Sequence, residues 1–258
     1  MFIRRGFRFI AQAKRTHSSL SVDASEIQKF GGLSDRWFDE QGPFKALHSL
    51  NKLRIPLVLN NLPKGTQLSV VDIGCGGGIL SVPLAKTGLH VTGIDATSEA
   101  IGAAREWLKT PSSKRTLSKC TLRYEHTTAE DFAVQNKEKF DVVVASEIIE
   151  HVASVESFVS SCAALVKPGG VLFFTTINKT LLSKIAAVFL AENVLKIVPQ
   201  GVHDWEKFVS PEELTRLLHD NGCHVRLVNG FTYNPLCDSW QWTNSAQVNY
   251  ALIAQKLN

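Results

Sequence analysis

The stretch Val70-Val71-Asp72-Ile73-Gly74-Cys75-Gly76-Gly77-Gly78 decides the fold of this chain. It is typical of a short apolar strand that runs into a glycine turn and then into a helix. Val91-Thr92-Gly93-Ile94-Asp95 follows as a second strand that ends in an acid. Glycines let a ligand approach the backbone closely, and an acid at this position accepts hydrogen bonds from ribose hydroxyls. The two stretches predict a site for a nucleotide-like cofactor, whereas a glycine turn without a ligand would leave the acid unexplained.

The spacing of the glycines distinguishes between cofactors. Gly74, Gly76 and Gly78 give G-x-G-x-G, and Ile79 stands where the dinucleotide fingerprint G-x-G-x-x-G needs its third glycine. This spacing disfavours a NAD-dependent oxidoreductase. S-adenosylmethionine (SAM) carries no phosphate, so a shorter turn beside Asp72 and Gly74 suits its amino acid end. The pattern resembles the class I SAM-dependent methyltransferases.

Beyond residue 62, strand patterns alternate with helical patterns, which predicts an α/β fold with a doubly wound, mostly parallel, Rossmann-like sheet. We expect seven strands, the last of them antiparallel: 68–73, 89–95, 121–126, 140–146, 170–177, 224–233 and 248–256. We expect helices at 78–87, 97–109, 154–167 and 210–221. Thr97-Ser98-Glu99 is typical of a capped helix start, and Pro168-Gly169-Gly170 of a turn that opens strand five.

The net positive charge of the chain comes from its N-terminus. The first 20 residues contain five basic side chains and no acid: Arg4, Arg5, Arg8, Lys14 and Arg15. Removing these five charges from the net +4 leaves −1, which argues against a nucleic acid partner. An Arg-rich, acid-free start predicts a mitochondrial transit peptide at 1–20, although a basic tail or a membrane-surface helix has the same composition.

Three regions follow from these patterns. After the transit peptide we expect a helical lead-in at 21–61 and a catalytic domain at 62–258. Within that domain, 180–210 is an insertion that contains an apolar helix after strand five, at 180–198. That helix is either buried in protein or forms a lid or membrane contact for an apolar substrate, since helical periodicity does not distinguish the two.

The five cysteines of the chain indicate no chemistry. They are scattered without C-x-x-C spacing, which suits a reducing compartment and indicates neither a zinc site nor thiol catalysis: Cys75, Cys120, Cys162, Cys223 and Cys237.

The end of strand four carries an unusual cluster of Ser146, Glu147, Glu150 and His151. Ligands of a doubly wound sheet bind at such strand ends, and one helical turn can bring the two glutamates to the same side. Three interpretations compete. The cluster is a capped helix start, or His151 or a glutamate is a general base for a hydroxyl, or Glu147, Glu150 and His151 bind Mg²⁺, which would lower the pKa of a substrate hydroxyl.

Several further segments make the resemblance specific. The chain resembles the ubiquinone biosynthesis O-methyltransferases, in their mitochondrial form, from about Glu26 to the last strand. The segments that carry this resemblance are EIQKF at 26–30, FKALH at 44–48 with Asn51 and Arg54, DIGCGGGIL at 72–80, EIIEHV at 147–152, TTINKT at 175–180 and HDWEKF at 203–208. One departure is Val202, where the family more often has Thr; we expect it to leave the chemistry unchanged.

The resemblance implies roles for particular residues. Arg54, Gly74, Asp95 and Ser146 would contact SAM, beside Asp72 and Gly76 of the glycine turn. Glu147, Glu150 and His151 would bind Mg²⁺, and Glu147 and His151 are the residues we expect to act in catalysis.

The resemblance also implies substrates and a setting. The substrates would be 3,4-dihydroxy-5-polyprenylbenzoate and demethylubiquinol. The setting would be the matrix side of the mitochondrial inner membrane, in a complex with other proteins of the pathway. Two alternatives stay open, a different lipid or small-molecule acceptor and a SAM-binding scaffold without turnover. His203, Asp204 and Trp205 either line the acceptor site or shape a loop.

Overall fold

A computed structural model describes residues 36–111, 113, 117, 121–180, 183 and 207–258. Within these residues the chain forms one sheet of eight strands in the order β3-β2-β1-β4-β5-β8-β6-β7. The strands are β1 (Ser69–Ile73), β2 (His90–Asp95), β3 (Leu122–His126), β4 (Phe140–Ser146), β5 (Val166–Ile177), β6 (Cys223–Asn234), β7 (Ser239–Thr243) and β8 (Asn249–Lys256). The helices are α1 (Lys45–Leu59), α2 (Ser81–Lys86), α3 (Ser98–Lys109), α4 (Ala129–Gln135), α5 (Val155–Leu165) and α6 (Pro211–Asp220).

The first five strands run parallel, as the sequence predicts. Neighbouring residues of these strands point to opposite faces, and both faces are covered. Val71, Val143 and Leu172 belong to a core cluster that includes residues of α4, α5 and α6. Val70 and Val142 belong to a second cluster that includes residues of α1 and α2. The doubly wound architecture is therefore confirmed.

The C-terminal part of the sheet is antiparallel. Strand β8 lies between β5 and β6 and pairs antiparallel with both of them, which confirms the expected last strand. Its residues Tyr250–Ala254 have no exposed surface. The short strand β7 is not expected from the sequence, which predicts a simple final hairpin of 224–233 and 248–256. It pairs antiparallel with β6 and packs against α1.

Local sequence explains the ends of the helices. Ser210 accepts a hydrogen bond from the Glu213 N–H at 3.1 Å, and Pro211 stands at the first turn of α6. Thr97 occupies the N-cap of α3 but makes no side-chain cap bond, contrary to our expectation. Its hydroxyl bonds to Asp95 instead, at the end of β2. Helix α4, which the sequence patterns do not predict, begins at a Thr128 cap that accepts from the Asp131 N–H at 3.2 Å.

Residues 168–170 interrupt the ladder between β4 and β5. The register passes from the pair Phe140 and Val166 to the pair Val142 and Val171, so the Pro-Gly-Gly segment bulges out of the sheet. Gly169 has φ 75°, which favours glycine. The turn that we expected is thus a bulge within β5, and α5 ends at Leu165 rather than at 167.

Several predictions lie outside the described residues and stay predictions. They are the transit peptide at 1–20, the first part of the lead-in including 26–30, most of the apolar helix at 180–198, and His203, Asp204 and Trp205. Of the lead-in, the structure describes α1 and the short segment before it. No helix in the described ranges has the length and apolar character that a membrane crossing needs.

Candidate active site

A cleft opens at the carboxyl ends of β1, β2 and β4, where a doubly wound sheet binds its ligands. It brings together residues from α1, the glycine turn, the ends of β2 and β4, and the start of α4. Its lining includes Trp37, Arg54, Asp72, Gly74, Gly76, Asp95, Thr128, Ser146, Glu147 and His151. Of the predicted site residues, only Glu150 does not line the cleft.

The glycine turn is held by side chains that pack directly onto its backbone. Gly74, with φ 72°, lies under Ile148, and a Cβ built on Gly74 would come 2.5 Å from Ile148 Cγ1. Gly76 and Gly77 lie against the indole ring of Trp37. Any side chain at these positions would displace its neighbour, so the glycines are needed for close packing as well as for access of a ligand.

Asp95 binds the glycine turn to the start of α3. Its Oδ2 accepts from the Gly76 N–H at 2.8 Å, and its Oδ1 accepts from the Thr97 N–H at 2.7 Å. Burial raises its pKa, and these two N–H groups partly oppose that rise. The Thr97 hydroxyl also donates to this carboxylate, and one acceptor position remains for a ribose hydroxyl, the role expected for this acid.

Asp72 is buried below the turn, with 2% of its surface exposed. Burial raises its pKa to about 6, although the Ser81 hydroxyl, which donates to Oδ2 at 2.5 Å, and the charge of Arg54 lower it. This acid therefore holds Ser81, the first residue of α2, from the inside.

Arg54 reaches from α1 into the cleft and is almost fully buried. Its guanidinium donates to the Asn51 side chain at 2.6 and 3.1 Å, to the Leu47 carbonyl at 2.8 Å and to Ser146 Oγ at 2.8 Å. Burial lowers the pKa of Arg54 to about 10, and the charges of Glu147 and Asp72 oppose the shift. Arg54 remains a cation at neutral pH and supplies the positive charge of this wall.

Ser146 connects that cation to the end of β5. Its hydroxyl lies 2.6 Å from Thr175 Oγ1, and the Glu147 N–H donates to the Thr175 carbonyl at 2.8 Å. Thr175 therefore contacts two neighbouring residues of the predicted cluster. The segment TTINKT by itself assigns no role to Thr175, because a Thr in a buried strand is usually a packing residue.

Glu147 is a buried carboxylate in an unusual backbone conformation, with φ 54°. Burial and then the charge of Glu150 raise its pKa to about 7, against the Thr175 hydrogen bond and the charges of Arg54 and His151. Its Oε1 is buried and has no hydrogen-bond partner among the described residues. A buried acid that titrates near neutral pH and has a vacant acceptor atom is suited to take a proton from a ligand.

Glu150 and His151 belong to a 3₁₀ turn at Ile149–His151, and they separate. His151 lines the cleft beside Glu147. Glu150 is buried elsewhere, and its Oε2 accepts from the Thr176 hydroxyl at 2.8 Å. The two glutamates are near enough for their charges to interact, but the positive φ of Glu147 prevents the regular helical turn that we expected to place them on one side.

The fit of these residues to Mg²⁺ is incomplete. The unpartnered oxygen of Glu147 and the negative charges of Glu147 and Glu150 would favour the binding of a cation. In the part of the chain that the structure describes, however, no group of three His, Cys, Asp or Glu side chains is arranged to hold a metal ion. The three predicted ligands do not converge, because Glu150 is bound to Thr176.

Comparisons with known proteins show the family of this chain. A family model described as a methyltransferase domain matches residues 38–228. The mitochondrial ubiquinone biosynthesis O-methyltransferase of Rattus norvegicus is 43% identical over 247 residues, which cover 92% of this chain and 70% of the rat protein. The ubiquinone biosynthesis O-methyltransferase of the bacterium Aromatoleum aromaticum is 41% identical over 238 residues, which cover 92% of this chain and 98% of the bacterial protein.

Solved structures confirm the fold. Magnesium protoporphyrin IX methyltransferase from Synechocystis PCC 6803 with bound SAH has a TM-score of 0.60 at 20% identity, covering 90% of this chain and 98% of that one. A SAM-dependent methyltransferase of Thermotoga maritima, a possible histamine N-methyltransferase, has a TM-score of 0.57 at 19% identity, with the same coverage. Together with the family match and the sequence identities, they show that the chain is an enzyme that belongs to the ubiquinone biosynthesis O-methyltransferases, a family with the class I SAM-dependent methyltransferase fold.

Proposed function

We propose that this enzyme methylates a catechol-type hydroxyl of a polyprenylated aromatic precursor of ubiquinone. The acceptors would be 3,4-dihydroxy-5-polyprenylbenzoate and demethylubiquinol. The observation that carries the proposal is Glu147, a buried acid with a pKa of about 7 and an unpartnered oxygen beside the cleft. The relatives that carry the pathway in their names support the choice of acceptor.

In the proposed reaction the phenol oxygen forms a bond with the methyl carbon of SAM while the bond from that carbon to sulfur breaks. SAH and the methyl ether are the products, and one proton is released. Glu147 accepts that proton, because a base whose pKa lies near the working pH can both take up a proton and release it afterwards. Arg54 and the glycine turn hold the cofactor, so that oxygen, methyl and sulfur are aligned before reaction. His151 is the second base within the cleft lining.

Mg²⁺ is the alternative means of forming the phenolate. A bound Mg²⁺ would lower the pKa of a coordinated hydroxyl. Glu147 and His151 would be its ligands in the cleft, and Glu150 would join them only by leaving the Thr176 hydroxyl. We therefore propose Glu147 as the general base that accepts the proton. Binding of Mg²⁺ is a separate proposal, which the following experiment tests.

The test is methyl transfer from labelled SAM to a short-chain 3,4-dihydroxy-5-prenylbenzoate, with EDTA or with added Mg²⁺, for wild type and Glu147→Gln. We expect Glu147→Gln to lower kcat by about 10²- to 10⁴-fold, which is the usual contribution of a general base. Glu156→Gln is the matched control, because Glu156 is an exposed acid in the first turn of α5 outside the cleft.

Each outcome has a meaning. Activity that EDTA abolishes and Mg²⁺ restores would support the cation, whereas activity indifferent to EDTA would leave Glu147 as the base. Full activity of Glu147→Gln would contradict both roles of this residue. Transfer to acceptors without adjacent hydroxyls would indicate a different substrate, and SAM binding without transfer to any acceptor would favour the scaffold alternative.

We further propose a mitochondrial location on the matrix side of the inner membrane, with the apolar segment 180–198, which the sequence predicts as a helix, as the contact for the polyprenyl tail and with other pathway proteins as partners. The basic composition of 1–20 and the names of the mammalian relatives support the mitochondrial location. The name of the similar bacterial protein does not mention mitochondria. Cytosolic retention of a fluorescent fusion that carries residues 1–20 would contradict it.

A further inference from the structure

Trp37 forms a wall of the cleft that the sequence did not assign to the site. The residue precedes α1 and has 6% of its surface exposed. Its indole ring stacks on Phe44 with ring centroids 4.0 Å apart, and the ring also packs on Gly76 and Gly77. His48 Nε2 lies 2.9 Å from the Trp37 carbonyl oxygen. The ring is thus fixed by its neighbours and at its backbone.

The indole N–H of Trp37 is buried without a partner. Among the described residues, Nε1 has no hydrogen-bond partner. A buried donor without an acceptor is costly, and a buried Trp usually finds a partner for its N–H. The contrast within this chain is Trp240, whose Nε1 donates to the Ala46 carbonyl at 2.9 Å. Because Trp37 lines the cleft, a ligand bound there is the candidate for the missing acceptor.

The position of Trp37 indicates which part of the ligand this is. Trp37 and Arg54 line the same cleft and are held by one stretch of α1: His48 contacts Trp37, while Leu47 and Asn51 bind the guanidinium. Asp95, which is suited to the ribose, reaches the turn from the end of β2 and binds the N–H of Gly76, on which the Trp37 ring also packs. The only anionic group of SAM is the carboxylate of its amino acid end.

We infer that Trp37 is a cofactor-binding residue whose indole N–H donates to the carboxylate of SAM, next to Arg54. The packing of the ring on Gly76 and Gly77 couples this bond to the glycine turn, so the cofactor completes the hydrogen bonding of a wall that is otherwise unsatisfied. Trp37 then contributes to affinity for SAM and SAH.

The test measures binding by isothermal titration calorimetry with the full chain, for wild type and Trp37→Phe. The ligands are SAH, which has the carboxylate, and methylthioadenosine, which keeps adenine and ribose but lacks the amino acid end. We expect Trp37→Phe to weaken SAH about tenfold, the cost of one hydrogen bond to a charged group, and methylthioadenosine less than about twofold.

A second variant separates the N–H from the shape of the ring. Benzothienylalanine at position 37 replaces the N–H by sulfur in a ring of nearly equal size, so packing on Phe44 and the glycines is kept. We expect it to weaken SAH as Trp37→Phe does, with an unchanged melting temperature of the free protein. Trp240→Phe is the matched control; it loses an indole N–H outside the cleft, and its SAH affinity should stay within about twofold of wild type.

Two results would overturn the inference. One is wild-type SAH affinity in both Trp37 variants. The other is an equal loss for SAH and methylthioadenosine, which would place the contact of Trp37 at the ribose or adenine or assign the effect to ring packing. Because binding is measured without an acceptor, this test does not depend on the proposed catechol methylation and can be interpreted even if that proposal fails.

Discussion

At the scale of single residues, the burial of acids in the site lowers the free energy of unfolding at neutral pH, as Asp72 illustrates. The carboxyl of Asp72 has an ordinary pKa of 3.8, and burial in the folded protein raises that pKa to about 6. The native state therefore holds a proton more tightly than the unfolded state. This contribution to stability is full below about pH 4 and is lost as the pH rises through about 6.

We expect Asp72→Asn to make the free protein more stable at pH 7, by at most about 3 kcal/mol, and to leave its stability at pH 4 nearly unchanged. The amide is neutral and still offers an oxygen to the Ser81 hydroxyl. Urea unfolding of both proteins from pH 4 to pH 7 measures the difference. Equal slopes of stability against pH in the two proteins would refute this account of Asp72.

Asp141 is the matched control for that measurement. Burial acts to raise its pKa, but hydrogen bonds from Lys167 and Ser69 outweigh it, and the pKa is lowered. The sign is thus opposite: its contribution is present at neutral pH and is lost as the pH falls. Asp141→Asn should destabilise the protein at pH 7, where Asp72→Asn stabilises it.

At the scale of elements, the glycine turn is defined by what packs on it. A Cβ at Gly77 would collide with the Cβ and indole ring of Trp37. We expect Gly77→Ala to destabilise the fold by about 1–3 kcal/mol and to weaken SAH binding, because Trp37 must move. Thermal unfolding and SAH titration measure both effects.

Gly102 is the control for that substitution. It lies within α3, and a Cβ there would meet nothing within 4 Å. Gly102→Ala should stabilise the protein by about 0.5–1 kcal/mol through helix propensity, with unchanged SAH affinity. If Gly77→Ala behaved like Gly102→Ala, the contact between Trp37 and the turn would not be tight.

At the scale of the whole molecule, the last strand completes the centre of the sheet. Strand β8 joins the parallel part to the β6–β7 hairpin, and Leu252 at its middle has no exposed surface. We expect Leu252→Ala to cost about 2–5 kcal/mol in unfolding free energy, measured by urea unfolding. Leu257→Ala, where 58% of the residue is exposed, should cost less than about 0.5 kcal/mol. A small effect at Leu252 would contradict tight packing of this side chain in the centre of the sheet.

How much the sequence could predict depends on whether the signal is local. The glycine turn, the parallel sheet implied by βαβ alternation and the residues at strand ends follow from neighbours in the chain, and the structure confirms them. Strand β7 alternates polar and aromatic residues in SWQWT but is only five residues long, and α4 has only seven residues, so each gives a short signal in the sequence. Strand β7 forms a hairpin with the adjacent strand β6, and only its packing against α1 is a long-range contact.

The sequence by itself determined the fold class, the glycine turn, Asp95 and the cluster at the end of β4, because each is written in a short run of residues. Only the tertiary structure decided what these groups do together. In the folded chain, Trp37 packs on the glycine turn, and Arg54 binds Ser146, although these residues are distant in the sequence. Ser146 also contacts Thr175. Glu150 binds Thr176, whereas Glu147 lines the cleft. Contacts between distant residues depend on how strands and helices pack, and spacing along the chain does not encode that packing.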